Sequence, residues 1–405
     1  HGHWLPAVNL AKTLKDDGYV VEFMGIPDCA SIVAPYKATF RTILADIYPT
    51  GHTLNDRLEP EGQRWKPHHL LPICRGALDA LFTGSGKPDL LIAGYFGCLE
   101  ALILHHKYKI PLVLLTTYLR HPDEDPTMFA KTKLVFLPEP VAQKIMALAT
   151  GKEEVSLEEF LAPLDQAPEM IPCPRDFDFY DEDWEHRAVT QYVEPMVRRV
   201  PLDGTSLPNN PTNLQPPIPT NKRIIFGTSG SQVADYEDKA RQYFHALIGM
   251  MKTTGMTNHH LVLAMGEKLL SEFNVAYGVD KGKSTLPFNV TMSAWVSQLD
   301  VLVAADVVFM HGGLATIKES IWEKVPIVIF PHGKDQLDNA LRIERNGLGI
   351  SPRVGVLTPH ALRQMLTEVT SSQWIRQQIA KMRDLFVAQD NEKPSLDIIR
   401  GIVLP

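Results

Sequence analysis

The 405-residue chain has only four cysteines, Cys29, Cys74, Cys98 and Cys173, with no Cys-x-x-Cys pair and no histidine at zinc-ligand spacing. That excludes a zinc ribbon by motif and points to a reducing, cytoplasmic setting. No apolar run approaches the ~18 residues that a membrane span needs. Basic residues are not in excess, since 40 Lys and Arg stand against 47 Asp and Glu for a net charge of −7. Such a chain does not recruit nucleic acid or an anionic membrane through bulk charge. No glycine-rich segment carries a lysine at Walker spacing. There is no initial Met, and no strand precedes the helical spacing of Val8, Leu10, Ala11 and Leu14, so further residues upstream are expected. What is present is 44% hydrophobic and 21% charged, enough for two to three packed domains.

Continuous apolar runs alternate with helical patterns. Tyr19–Met24, Asp89–Ala93 and Pro111–Thr116 read as strands, with a helix over Gly97–Tyr108. Runs buried on both faces indicate a parallel sheet covered by helices. The stretch Pro122–Val200 is less regular and carries the acidic residues Asp176, Asp178, Asp181, Glu182, Asp183 and Glu185. Val200–Lys222 holds six prolines and reads as a linker. The alternation then resumes with strands at Arg223–Phe226, His260–Ala264, Phe288–Met292, Val307–Met310 and Pro326–Phe330 and helices around Ala234–Lys252 and Leu314–Glu323. The expected domains are residues 1–200, a linker over 201–222, a second α/β domain over 223–385 and a helical tail over 386–405.

The densest chemical signal lies between Trp295 and Asn346. His311-Gly312-Gly313 forms a turn at the end of an apolar strand, and the next helix aims its N-terminus at that turn. Strand ends in open α/β sheets face ligand crevices. A helix N-terminus offers unpaired N–H groups and a positive dipole end, which suit a phosphate. Thr316 adds a hydroxyl, and Glu319, one turn on, has the reach to bind a ribose diol. A second loop, Gly227-Thr228-Ser229-Gly230-Ser231, follows the first strand of the second half and makes a phosphate-friendly nest.

Taken together, Trp295-Val296-Ser297-Gln298, the His311 to Glu319 segment, Pro331 and Asp335 to Ala340 resemble the nucleotide-sugar signature of family-1 glycosyltransferases, the UDP-glycosyltransferase superfamily. The spacing is similar to the bacterial natural-product branch. The resemblance implies the GT-B fold, two Rossmann-like doubly wound parallel-sheet domains facing a central cleft. It implies that Trp295 stacks on the nucleobase, Val296 backbone groups pair with the base edge, and Gln298 and Glu319 hold the ribose. His311, Gly313 and Thr316, with the Gly227, Ser229 and Gly230 loop and Gly312, would face the diphosphate, and Asp335 and Gln336 the sugar hydroxyls. Ser297 departs from the family's usual proline.

The same resemblance covers Gly2-His3-Trp4-Leu5-Pro6, whose histidine would take the acceptor proton. An imidazole with a pKa near ~6.5 is mostly neutral at pH 7 and suits that role. Many family members orient this histidine with an Asp at the end of a first-domain strand, but Gly94 follows Leu90–Ala93 here, and Glu100 is the nearest other carboxylate. Either His3 acts unassisted on an acidic hydroxyl such as a phenol, which is the favoured reading, or another residue orients it, or the acceptor reaction has been lost. The other histidines, including His68-His69, His105-His106 and His259-His260, are read as having no role. The expected activity is inverting transfer from a UDP- or dTDP-sugar to a hydrophobic hydroxylated natural product such as a phenol or polyketide. No metal or other cofactor is needed, and the chain would be a monomer or homodimer. Two other readings stand beside it: a non-catalytic nucleotide-sugar-binding protein, or a GT-B enzyme acting on UDP-GlcNAc.

Overall fold

The computed structural model describes residues 4–51, 69–121, 127–179, 189–197, 201–203, 217–230, 233–352 and 357–403. In the first half, β1 (Phe23–Gly25) and β2 (Phe40–Thr42) form a two-stranded parallel sheet, in register from Phe23 opposite Phe40. Strands β3 (Leu91–Gly94), β4 (Leu112–Leu115), β5 (Glu169–Pro172) and β6 (Thr190–Val193) form a parallel sheet in that order. All four residues of β4 are buried, as its apolar run predicts.

The region read as irregular contains three helices, Met128–Val135, Glu139–Thr150 and Leu157–Gln166, and the strands β5 and β6. These strands escape a search for apolar runs because β5 opens on a fully buried glutamate and β6 is half polar. Glu169 accepts from Thr116 Oγ1 (2.6 Å), Thr190 Oγ1 (2.8 Å) and Arg120 Nη2 (2.7 Å). Burial alone would raise this carboxyl, yet the Arg120 guanidinium and the hydroxyls hold it below its ordinary range.

The second half is a six-stranded parallel sheet of β7 (Arg223–Thr228), β8 (His259–Ala264), β9 (Val290–Ser293), β10 (Ala305–Met310), β11 (Ile327–Ile329) and β12 (Gly349–Ile350). Its order is β12-β11-β10-β7-β8-β9, so the chain runs outward in both directions from the β7–β10 pair. That pair is the topological switch point, where an open α/β sheet leaves a crevice at the strand ends. The architecture is the GT-B arrangement expected from the motifs.

The halves share a core. Leu119, Ile171, Cys173, Phe177 and Val197 of the first pack with the apolar residues of the second sheet. One helix, Gln373–Glu392, runs unbroken through the expected tail boundary at residue 386. The helix after it, Pro394–Val403, returns to the first half, where Ile399 (2% exposed) packs among Leu10, Val113, Met170 and Val193.

Candidate donor site

The β7 and β10 strands end side by side, with Met310 opposite Thr228, so the Ser229-Gly230 and His311-Gly312-Gly313 turns meet across the switch point. The His311 ring is wedged between them. A Cβ on Gly230 (φ +71°) would lie 2.4 Å from His311 Cε1, and one on Gly313 would lie 2.7 Å from His311 Nε2. Gly312 has φ +103°, and its Cβ would meet Ile329 Cδ1 at 2.9 Å and the Gln336 carbonyl at 3.1 Å. Only glycine fits these turns. Gly313 is the N-cap of helix Leu314–Trp322 and makes no side-chain capping bond, which leaves the first-turn N–H groups facing the crevice.

The histidines here are uncharged. Burial, with neighbouring His332, pushes His311 down to about 3 against the Thr228 carbonyl, and burial with Lys239 pushes His332 down to about 4. An anion at this turn would therefore meet neutral imidazole and backbone N–H groups rather than an imidazolium. An imidazole kept neutral when folded regains its ordinary pKa near ~6.5 on unfolding, so acid favours the unfolded chain. This contribution to stability is complete above pH ~6.5 and is lost as pH falls, at up to about 1.4 kcal/mol per pH unit for each histidine. Urea unfolding at pH 7.5 and pH 5 is expected to show the drop, and His332→Asn is expected to remove part of it.

Just before helix Gln298–Ala304, Trp295 is 63% exposed and is not part of the core, while the adjacent Val296 side chain (6% exposed) anchors the turn inward. An exposed indole held by a buried neighbour makes a platform on which a flat ring can stack. Ser297 has φ −68°, a value proline also adopts, so the departure from the family pattern preserves the turn. Gln298 Nε2 donates to Thr316 Oγ1 (3.1 Å) and to the Glu319 carboxylate. Thr316 and Glu319 are 5% and 4% exposed, and these three residues form one polar group beneath the platform.

On the opposite side, Gln336 Oε1 accepts from the His332 amide (2.8 Å) and the Gly333 amide (3.2 Å) and so ties the Pro331 turn to helix Gln336–Arg345. Burial raises the Asp335 carboxyl, and Asn339 Nδ2 donates to it at 3.0 Å. Ser229 Oγ is 3.4 Å from His332 Nε2, which links the first loop to this turn.

The structure brings together Ser229, Gly230, Gln298, His311, Gly312, Gly313, Thr316, Glu319, Asp335 and Gln336. Gly227 lies apart from them. It sits within β7, and a Cβ there would meet Leu263 at 2.5 Å and Leu247 at 3.0 Å, which makes it a packing glycine beneath the helix Glu237–Met251. Further residues, to which the motifs gave no individual role, join the site. Asn339 bonds the Gly312 carbonyl (2.9 Å), and Lys239 donates to the His332 carbonyl (2.5 Å). Asn339 was legible only as part of the Asp335 to Ala340 segment, and Lys239 lies in no motif. Among the described residues, no group of three or more His, Cys, Asp or Glu is placed to hold a metal ion.

His3 lies outside the described residues. Glu100, the alternative carboxylate in the first half, is already engaged. It accepts from His69 Nε2 (2.8 Å) and from Lys133 Nζ (2.9 and 3.1 Å), while His69 Nδ1 takes the Tyr48 hydroxyl at 2.6 Å. Although burial opposes it, these partners hold Glu100 down to about 2. His69 therefore has a structural partner on each ring nitrogen. His106 bonds the Phe160 carbonyl, and His260 bonds Thr291. Beside Glu100, Tyr95, Phe96, Tyr118 and Phe129 form an aromatic group at the C-terminal ends of β3 and β4, with Phe96 45% exposed. Of the aromatics further along the first half, Phe177 is core, Phe179 packs on Arg342, and Tyr180 and Trp184 lie outside the described residues.

Two parallel-sheet halves with a glycine-lined crevice at the second switch point define the GT-B class. Residues 264–396 match the C-terminal domain of the erythromycin biosynthesis protein CIII-like family. Demethyllactenocin mycarosyltransferase of Streptomyces fradiae is 22% identical over 100% of this chain and 85% of its own length. The UDP-glucosyltransferase YdhE of Bacillus subtilis (strain 168) is 28% identical over 45% of this chain and 43% of its own length. The crystal structure of the kitacinnamycin glycosyltransferase covers 100% of this chain and 96% of that one, with a TM-score of 0.72 at 20% identity. The chain has the GT-B fold, and the relatives that it resembles are glycosyltransferases.

Proposed function

We propose that the protein transfers a sugar, with inversion, from a UDP- or dTDP-sugar to a hydroxyl of a hydrophobic natural product. The observation that carries this reading is the crevice between the Ser229-Gly230 and His311–Gly313 turns, flanked by Trp295 on one side and by Asp335 and Gln336 on the other. Its chemistry suits a base, ribose, diphosphate and sugar in that order. The N–H groups of helix Leu314–Trp322 stabilise the leaving diphosphate, so the reaction needs no metal. The aromatic group of Tyr95, Phe96, Tyr118 and Phe129 favours an apolar acceptor, and His3 takes its proton.

Incubation with a panel of UDP- and dTDP-sugars and phenolic or polyketide acceptors, read by mass spectrometry, tests this. A mass gain of one sugar is expected. Nucleotide binding without transfer to any acceptor would favour a binding protein instead, and conversion of UDP-GlcNAc alone would favour an epimerase.

A further inference from the structure

We infer that Arg342 is a positioning residue through which the first domain holds the sugar end of the donor site in order. This rests on the donor-site reading above. Arg342 is fully buried, and each side of its guanidinium is occupied. Nε donates to Asp178 Oδ1 (2.8 Å), Nη2 to the Arg120 carbonyl (2.8 Å) and Nη1 to Asn339 Oδ1 (3.1 Å), while the Phe179 ring lies 4.2 Å from the guanidinium carbon. Asp178, 2% exposed, is held in turn by the Tyr192 hydroxyl at 2.6 Å.

Arg120, Asp178, Phe179 and Tyr192 all come from the first domain. Asn339 comes from the second, and its amide faces the other way, donating to the Gly312 carbonyl (2.9 Å) and to Asp335 (3.0 Å). An unbroken chain of bonds therefore runs from Tyr192 through Asp178, Arg342 and Asn339 to the glycine turn and the sugar-binding carboxylate. Only a planar fork reaches Asp178, the Arg120 carbonyl and Asn339 at once, and an ammonium cannot. A buried network that is fully satisfied is rigid, and loss of one member misorients the others. The residues facing base and ribose, Trp295, Gln298 and Glu319, lie on other elements and take no part in this chain. Asn339 thus presents its amide to Gly312 and Asp335 when the first domain is docked on Arg342.

The account predicts a split between nucleotide and sugar. In Arg342→Lys, calorimetry should give a Kd for UMP or dTMP within about threefold of the native protein, because Trp295, Gln298 and Glu319 are untouched. Transfer should lose 10- to 100-fold in kcat/KM for the nucleotide sugar, a loss of the size that about 1 Å of misplacement causes. Asp178→Asn, in the other domain, should show the same split, and the double variant should be no more than about twofold worse than Arg342→Lys. Tyr192→Phe removes one hydrogen bond and keeps the ion pair, so it tests the chain in a variant that folds, with an expected three- to fivefold loss. Equal losses of nucleotide affinity and transfer, multiplicative losses in the double variant, or an unchanged kcat/KM would each overturn the inference. Failure of the native protein to bind any nucleoside diphosphate would instead overturn the donor-site reading.

Discussion

Replacing His3 with alanine is expected to slow transfer by about 10²- to 10⁴-fold, the range over which a positioned general base acts. The Kd for UDP or dTDP should stay within about threefold, because every donor-facing residue lies in the second domain. Burst and steady-state assays on one acceptor, paired with calorimetry, measure both. The structure sharpens the expectation by removing an alternative. Glu100 cannot serve as the missing orienting carboxylate while it is bonded to His69 and Lys133. Gly94 ends β3 with open space where a Cβ would stand, so Gly94→Asp is tolerated sterically and is expected to raise the rate on weakly acidic hydroxyls. Retained turnover in His3→Ala would reject the assignment of the base.

Gly312→Val is expected to abolish donor binding, with at least a 100-fold rise in the Kd for nucleoside diphosphate and a loss of roughly 3 kcal/mol in stability. Two costs combine. A β-branched residue at φ +103° is a conformational outlier, and its Cβ would press on Ile329 and on the Gln336 carbonyl. Relief by shifting the turn would move the Gly312 carbonyl off Asn339 and change the entrance to helix Leu314–Trp322, the proposed diphosphate site. Chemical denaturation gives the stability, and titration of the folded fraction gives the affinity. Binding close to native in the valine variant would show that the turn does not face the donor.

Much of the second domain was legible because its strands are buried on both faces and so read as apolar runs, as Val307–Met310 does. The Gly312 and Gly313 turn was legible because glycine is required where backbone must approach backbone or ligand. Residues that act through distant partners were not. Asp178 sits in an acidic run within a stretch read as irregular, yet it pairs with Arg342, 164 positions away. β5 was hidden by Glu169, whose charge suggests a surface but is matched by Arg120 inside the protein. Gly227 was assigned to the phosphate by its place in a loop-like sequence, whereas the strand continues through it and side chains fill its back.

The net charge of −7 gives the account its central requirement. The chain as a whole repels a diphosphate and His311 and His332 are held neutral, so local N–H groups between two glycine turns, with nearby Lys239, must supply the attraction. Calorimetric titration of the native protein with UDP and dTDP tests this most directly. The account predicts saturable one-to-one binding of at least one of them, weakened strongly by Gly312→Val. No heat of binding for either nucleotide, or binding unaffected by that substitution, would contradict it.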